Sequence, residues 1–212
     1  MKLRVMQEDP TMRIWTAAWV VAVAAVGGQA AVIVYDDAAR NGWTYTDNVS
    51  TTVKRSGANA ATQTTSGWDQ MRFGHSASTP AAGNGILSAW INFVPDATYN
   101  TTEIERVDVV VDGTNREYKT STATILVDGV QDASGRITFD ADPGTWQHLE
   151  IDLGSHGSVT FGPTTAVGRI DVKSSSALAW NLYLDDMALV PEPATLALLA
   201  IGGAAGLRRR RR

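Results

Sequence analysis

Gln147-His148-Leu149-Glu150-Ile151-Asp152-Leu153 alternates without a break. Leu149, Ile151 and Leu153 fall on one side of an extended chain, and His148, Glu150 and Asp152 on the other. That is the period of two of a half-buried strand. Working outward, short runs of the same kind recur at 31–35, 49–55, 68–73, 86–94, 104–111, 122–127, 136–139, 167–172 and 180–189. They are rich in Val, Ile, Thr and aromatic residues and are bounded by Gly, Asn, Asp and Pro. Asp112-Gly113 and Asp128-Gly129 are hairpin-turn signals, and Ser134-Gly135 is a weaker one. The Ser/Ala/Gly/Asn-rich stretch 76–85 reads as a loop. No helical periodicity exists outside the two ends of the chain. The expectation is an all-β fold over residues 31–190: one two-sheet β-sandwich, a jelly roll.

Both ends have a different character. Ile14 to Val26 is an apolar run preceded by Lys2, Arg4 and Arg13, and Gly28-Gln29-Ala30 offers a small-x-small cleavage site. Residues 1–30 therefore read as a signal peptide in helical form, with the mature chain beginning at Ala31. Glu8 and Asp9 interrupt the basic segment, and a start at Met12 gives a cleaner leader. At the other end stand Pro191-Glu192-Pro193, an apolar run from Ala194 to Leu207, and five arginines, Arg208 to Arg212. The run is shorter than the about 20 residues a spanning helix needs. Gly202, Gly203 and Gly206 weaken it as a helix, and the arginine cluster stays on the cytoplasmic side. Such a tail is a short hydrophobic helix that holds the chain in the membrane transiently, in the manner of tails removed after sorting.

These three parts, in this order, resemble the PEP-CTERM signal of Gram-negative bacteria over residues 191–212. The resemblance implies export across the inner membrane and recognition of Pro191, Glu192 and Pro193 by an exosortase, a membrane protease that removes the tail. The destination it implies is the cell surface or the extracellular matrix.

Removing both ends changes the charge argument. Residues 31–190 hold 19 acidic and 10 basic side chains, near −9, whereas the whole chain is −4. A domain of that sign has no electrostatic reason to bind nucleic acid. The absence of cysteine excludes disulfides, thiolate metal sites and a cysteine nucleophile. About 160 residues bury a sufficient core without such staples.

A second resemblance covers most of the mature domain. Val34-Tyr35-Asp36-Asp37 with Gly42-Trp43, Leu87 to Phe93, Pro143-Gly144-Thr145-Trp146-Gln147-His148-Leu149 and Leu182-Tyr183-Leu184-Asp185-Asp186-Met187 are similar, in order and rough spacing, to strands of galactose-binding-like carbohydrate-binding modules. Those modules are jelly rolls that commonly carry a structural calcium and bind sugars through exposed aromatics. For this chain the resemblance implies polysaccharide as a partner and a structural calcium as a cofactor. Ca²⁺ takes six to eight oxygens, and Asp36, Asp37, Asp185 and Asp186 lie on the expected first and last strands, which neighbour each other in a jelly roll. Alternation sends one Asp of each pair to each face, and the alternative is that all four are solvated strand-end acids.

Sugar binding needs an aromatic face beside hydrogen-bonding side chains. Of the five tryptophans in the mature part, Trp90 reads as core and Trp146 as the cover of a core edge. Trp43 and Tyr45, in a loop, and Trp68, after Ser66-Gly67 and beside Asp69, Gln70 and Arg72, are the candidates for a platform. The opposing reading is that such rings simply pack a core. Catalytic signatures are lacking: His75, His148 and His156 occur singly, and no nucleophile elbow or phosphate loop is present. Glu103 with Glu105, and Glu150 with Asp152, are same-face pairs better read as a solvated surface than as a glycosidase pair. The expectation is a non-enzymatic exported protein that contacts polysaccharide. The alternatives are a purely structural surface protein and a secreted carbohydrate-active enzyme.

Overall fold

The computed structural model describes residues 30–80 (backbone alone over 76–80), 84–140, 144–162 and 164–190. The expected signal helix, the expected C-terminal helix and Pro191, Glu192 and Pro193 lie outside the described residues. No helix among the described residues is long and apolar enough to cross a membrane.

The fold is all-β. In chain order the first strands are β1 Val32–Asp36, β2 Ala38–Ala39, β3 Trp43–Tyr45, β4 Asn48–Ser50, β5 Ala60–Thr65 and β6 Gln70–Pro80. The middle of the chain gives β7 Ile86–Phe93, β8 Glu103–Ile104, β9 Arg106–Val111, β10 Thr114–Tyr118, β11 Ile125–Val127 and β12 Val130–Gln131. Then follow β13 Ile137–Thr138, β14 Gln147–Asp152, a 3-10 turn Leu153–Ser155, β15 Ala166–Lys173 and β16 Trp180–Val190. A nine-stranded sheet runs β12-β11-β14-β7-β16-β1-β2, with β5 also pairing β16 and β4 pairing β5. A five-stranded sheet runs β10-β9-β15-β6-β3, and β13 with β8 forms a small third one.

The alternation in β14 is realised as read: Leu149 and Ile151 are buried, while His148, Glu150 and Asp152 are half-exposed. The larger sheet sends Leu87, Ile91, Leu149, Ile151, Leu182 and Leu184 inward. They meet Met71, Phe73, Val107, Val109, Ile170 and Val172 of the smaller sheet in one continuous core. Each such side chain stabilises the fold by about 1.5–3 kcal/mol when fully buried. Both Asp-Gly signals form tight hairpins: Asp112 and Gly113 take φ of 47° and 75°, and Asp128 and Gly129 take 50° and 77°, which are the positive values a type I′ turn demands at both central positions.

Three local expectations need correction, and one strand, β5, had not been expected. The run expected at 49–55 leaves the sheet after Ser50, because the Ser50 hydroxyl accepts the amides of Thr52 and Val53 and turns the chain. The strand expected at 122–127 begins only at Ile125, since Thr122 closes a turn onto Lys119 and Glu117. The expected loop 76–85 belongs in part to β6, which continues to Pro80 opposite Ala166. β5, with almost no apolar side chains, is a strand because it pairs with β16 across five residues.

Candidate functional site

The candidate aromatics separate sharply by environment. Trp43 opens β3 and is buried, 4% exposed, with its ring edge-on to His75 at 5.5 Å. Tyr45, two residues on, stacks against Phe73 at 4.7 Å and donates its hydroxyl to the Thr62 carbonyl. Burial pushes the Tyr45 phenol well above its usual range, with the Asp47 charge adding to it. Trp43 is therefore a plug of the core edge, and Tyr45, half-buried, has one face given over to Phe73. Trp68 is the opposite case, 67% exposed at the head of β6. The three candidates are not brought together. Tyr45 lies opposite Phe73, five residues along from Trp68, or on the order of 16 Å of extended chain.

Trp90 also departs from expectation. It points outward from β7, because Leu87, Ala89 and Ile91 take the inward positions. His148, directly opposite on β14, stacks on the ring at 4.8 Å and 27°. The guanidinium of Arg55 lies 3.9 Å from the ring centroid. Arg55 is ion-paired with Asp186 on β16, the strand on the other flank of β7, so the two ring faces are covered from opposite sides. Trp146 is half-buried, as expected of an edge cover, and Trp180 is fully buried.

Around Trp68 the chain is held tightly. The amide of Gly67 donates to the Thr65 hydroxyl at 3.3 Å. Ser174, fully buried at the end of β15, gives its hydroxyl to the Gly67 carbonyl and accepts the Asp69 amide at 2.9 Å. The turn that carries Trp68 is thereby fixed to the five-stranded sheet while its indole projects. The ring borders a cleft of about 280 Å³ lined by Trp68, Asp69, Gln70, Arg106, Lys173 and Ser174. Gln70 faces Lys173 across the β6–β15 ladder, and Lys173 faces Arg106 across β15–β9. An indole beside amide, ammonium, guanidinium and carboxylate groups has the chemistry that holds a pyranose: an apolar face with hydrogen-bonding groups at its rim. Sequence reading found Trp68, Asp69 and Gln70, but not Arg106 and Lys173, which reach the cleft from strands more than 30 residues away.

Three of the four aspartates, Asp37, Asp185 and Asp186, converge, but on a loop. A bulge in β16 between Asp185 and Ala188, with Asp186 at φ 49°, places both carboxylates on the outer side. Asp185 is fully buried, and one of its oxygens accepts the amides of Arg55 and Ser56 at 3.0 and 3.1 Å. Its other oxygen accepts the Asp186 amide at 2.9 Å. Asp186 holds the Arg55 guanidinium and the Ser56 hydroxyl. Asp37 accepts the amides of Ala58 and Asn59 at 2.5 and 2.9 Å. Asp36 stays exposed at the end of β1 and joins none of this. The Asn59 and Ala58 amides hold the Asp37 carboxyl below its usual value. Burial raises that of Asp185 despite the three amides that oppose it. N–H groups and a guanidinium thus occupy the places a cation would need, so the residues do not fit the calcium expected from sequence. Among the described residues no group of three or more His, Asp or Glu side chains could hold a metal ion.

Other acidic pairs are similarly engaged. Glu103 and Glu105 share Arg136, at 3.1 and 3.2 Å. A further cleft of about 370 Å³ is lined in part by Asp128, Asp132, Asp140 and Gln147. Two of its acids serve the fold as well: Asp128 accepts the Gln147 side-chain amide and the His148 backbone amide, and Asp132 accepts the Ser134 and Thr138 amides.

Residues 189–212 match the PEP-CTERM protein-sorting motif. The motif implies an exported chain processed by exosortase, a membrane protease, with a surface or membrane-associated location. No curated protein is significantly similar to the chain.

Proposed function

We propose that this chain, which carries a PEP-CTERM sorting motif, is a non-enzymatic cell-surface or matrix protein whose sandwich, taken as a jelly roll, holds polysaccharide at the Trp68 cleft. One observation carries the reading. An indole 67% exposed stands on a turn pinned by a buried serine, above a cleft with hydrogen-bonding groups of both polarities. Tryptophan is normally mostly buried, and a rigid mount costs little entropy on binding. Of the same-face acidic pairs, Glu103 and Glu105 share Arg136 and Asp152 caps the turn after β14, which supports a binding role over a hydrolytic one. A purely structural role is favoured by a different observation: Trp43 and Trp180 are internal and Trp90 is covered on both faces.

Affinity electrophoresis of the full chain, in mild detergent, through gels containing neutral and acidic polysaccharides separates the two. Retardation by at least one polysaccharide, weakened roughly tenfold or more by Trp68→Ala, is the expected result; a tenfold loss corresponds to about 1.4 kcal/mol of stacking and contact. Because the Trp68 ring is exposed, the variant should fold as the parent does. Mobility unaffected by every polysaccharide establishes the structural role instead.

A further inference from the structure

The outer face of the five-stranded sheet is an ordered lattice of charge. Across β6, β15 and β9 one row reads Gln70, Lys173, Arg106. The next reads Arg72, Asp171, Asp108, and continues onto β10 with Glu117. A third carries Arg169, flanked by Gly74 and Val110. Rows are about 7 Å apart and neighbouring strands about 4.8 Å apart.

At the centre, Asp171 and Asp108 are directly opposed, a like-charge pair that by itself destabilises a sheet. Both are buried, with side chains 0% and 3% exposed. Four cations compensate them. Arg72 and Arg169 hold Asp171 at 2.9 and 3.0 Å, and Arg106 and Lys173 hold Asp108 at 2.9 and 3.0 Å. The Asp171 hydrogen bond keeps the Arg72 guanidinium even more firmly protonated than usual. The carboxylates lie beneath and the cations spread above them, Arg72 with 47% of its side chain exposed. A guanidinium carries five N–H donors. Arg72 uses Nε and Nη2 on Asp171, and Arg106 uses Nε on Asp108, which leaves donors for an outside acceptor. The buried acids thus pre-organise a donor-rich face with its cations outermost on a domain whose overall charge is near −9, bounded by Glu117 at 3.7 Å from the Arg106 Nε and by Asp69 in the cleft. With a Debye length of about 8 Å at physiological ionic strength, a ligand at this face feels the lattice more than the distant negative charge. Trp68, two residues before Gln70, borders the first row, and Arg106 and Lys173 belong to both its cleft and the lattice.

We infer that the polysaccharide is anionic, a uronate-bearing chain with one ring stacked on Trp68 and its carboxylates running over the Lys173–Arg106 row toward Arg72. This rests on the proposed polysaccharide role and specifies the ligand. Carboxylate is an acceptor whose geometry a planar guanidinium fork matches, and the pyranose that bears it supplies the face for the indole.

The test is isothermal titration of the full chain with polygalacturonate oligosaccharides, their fully methyl-esterified counterparts, neutral dextran oligosaccharides and single-stranded DNA. Esterification removes the charge and keeps the ring, so the result does not depend on whether a charge variant folds. The expected outcome is binding to the acid form, at least roughly tenfold weaker for the ester and for dextran, and a comparable loss with Trp68→Ala. Lys173→Gln, which leaves Arg106 on Asp108, should weaken the acid form alone. Equal binding of acid and ester, still dependent on Trp68, overturns the anionic assignment and leaves the polysaccharide role standing. Binding of the acid form that survives Trp68→Ala, or that DNA matches, reduces the face to an ion exchanger and overturns the inference. No binding to any saccharide overturns both readings.

Discussion

Asp185 points outward from β16, yet it is fully buried because the loop carrying Arg55 to Asn59 lies over it. Asp37 holds the far end of the same loop, and a β-carbon on Gly57 would stand 2.0 Å from its carboxylate. The two acids act on stability with opposite pH signatures. The Asp37 carboxyl is lowered in the fold, so its contribution is full above its ordinary value of about 4 and vanishes as pH falls through the lowered one. The Asp185 carboxyl is raised by burial, so its contribution is full below about 4 and declines as pH rises through the raised value. Asp37→Ala is therefore expected to cost stability at neutral pH and progressively less in acid. Asp185→Ala should cost more near pH 4 than near pH 7, on the order of 1–3 kcal/mol where its cost is full, since it strands buried amides. Urea denaturation of both variants across that range checks the signs. Parallel pH profiles would show that these carboxylates do not hold the loop as described. The sequence pointed to these aspartates, but it could not show that their partners are backbone amides, 21 and 22 residues from Asp37 and some 130 from Asp185, where a cation had been expected.

At the scale of elements, turn chemistry was the most legible feature and strand extent the least. Asp112-Gly113 and Asp128-Gly129 are the hairpins their dipeptides promise, because few other residues tolerate positive φ at both central positions. The first hairpin also implies β10, although Thr114–Tyr118 shows little apolar pattern. β5 had no such signal. It is polar or small along its length, and only its place beside β16 makes it a strand. Trp90 was misread by residue type although the alternation through Leu87, Ala89 and Ile91 already sent it outward. A paired substitution tests the turn argument. At Gly113 (φ 75°) an added β-carbon meets nothing within 4 Å, so Gly113→Ala should cost only the backbone term, about 1 kcal/mol. Gly57→Ala adds a collision with Asp37 to a φ of 54°, and it should cost more and raise tryptic cleavage after Lys54 and Arg55. Equal losses, with no change in cleavage, would mean that the Asp37 contact does not constrain the loop.

For the whole molecule, the sorting signal and the closing strand share residues. The motif match begins at Leu189, whereas β16 runs to Val190. β16 is the hub of the larger sheet, paired with β1, β5 and β7. Leu189 is fully buried and sits between Val32 and Leu87, and Met187 opposes Tyr35. Processing that leaves the domain intact must therefore cut beyond Val190. A chain ending at Val190 keeps every β16 pairing, and its melting temperature should lie within about 2 °C of the full chain, the shift expected from roughly 0.5 kcal/mol. A chain ending at Asp186 loses the ladder to β1 and the last three pairs with β7, together with the buried Met187 and Leu189. At about 1.5–3 kcal/mol for each large side chain, that deficit is comparable to the 5–15 kcal/mol of a typical domain, and this chain should be unfolded at room temperature. Circular dichroism melts of the two truncations decide the matter, and mass spectrometry of the exported product should find a C-terminus at Val190 or later. A mature chain ending upstream of Leu189 would mean that the exported protein dispenses with its own central strand.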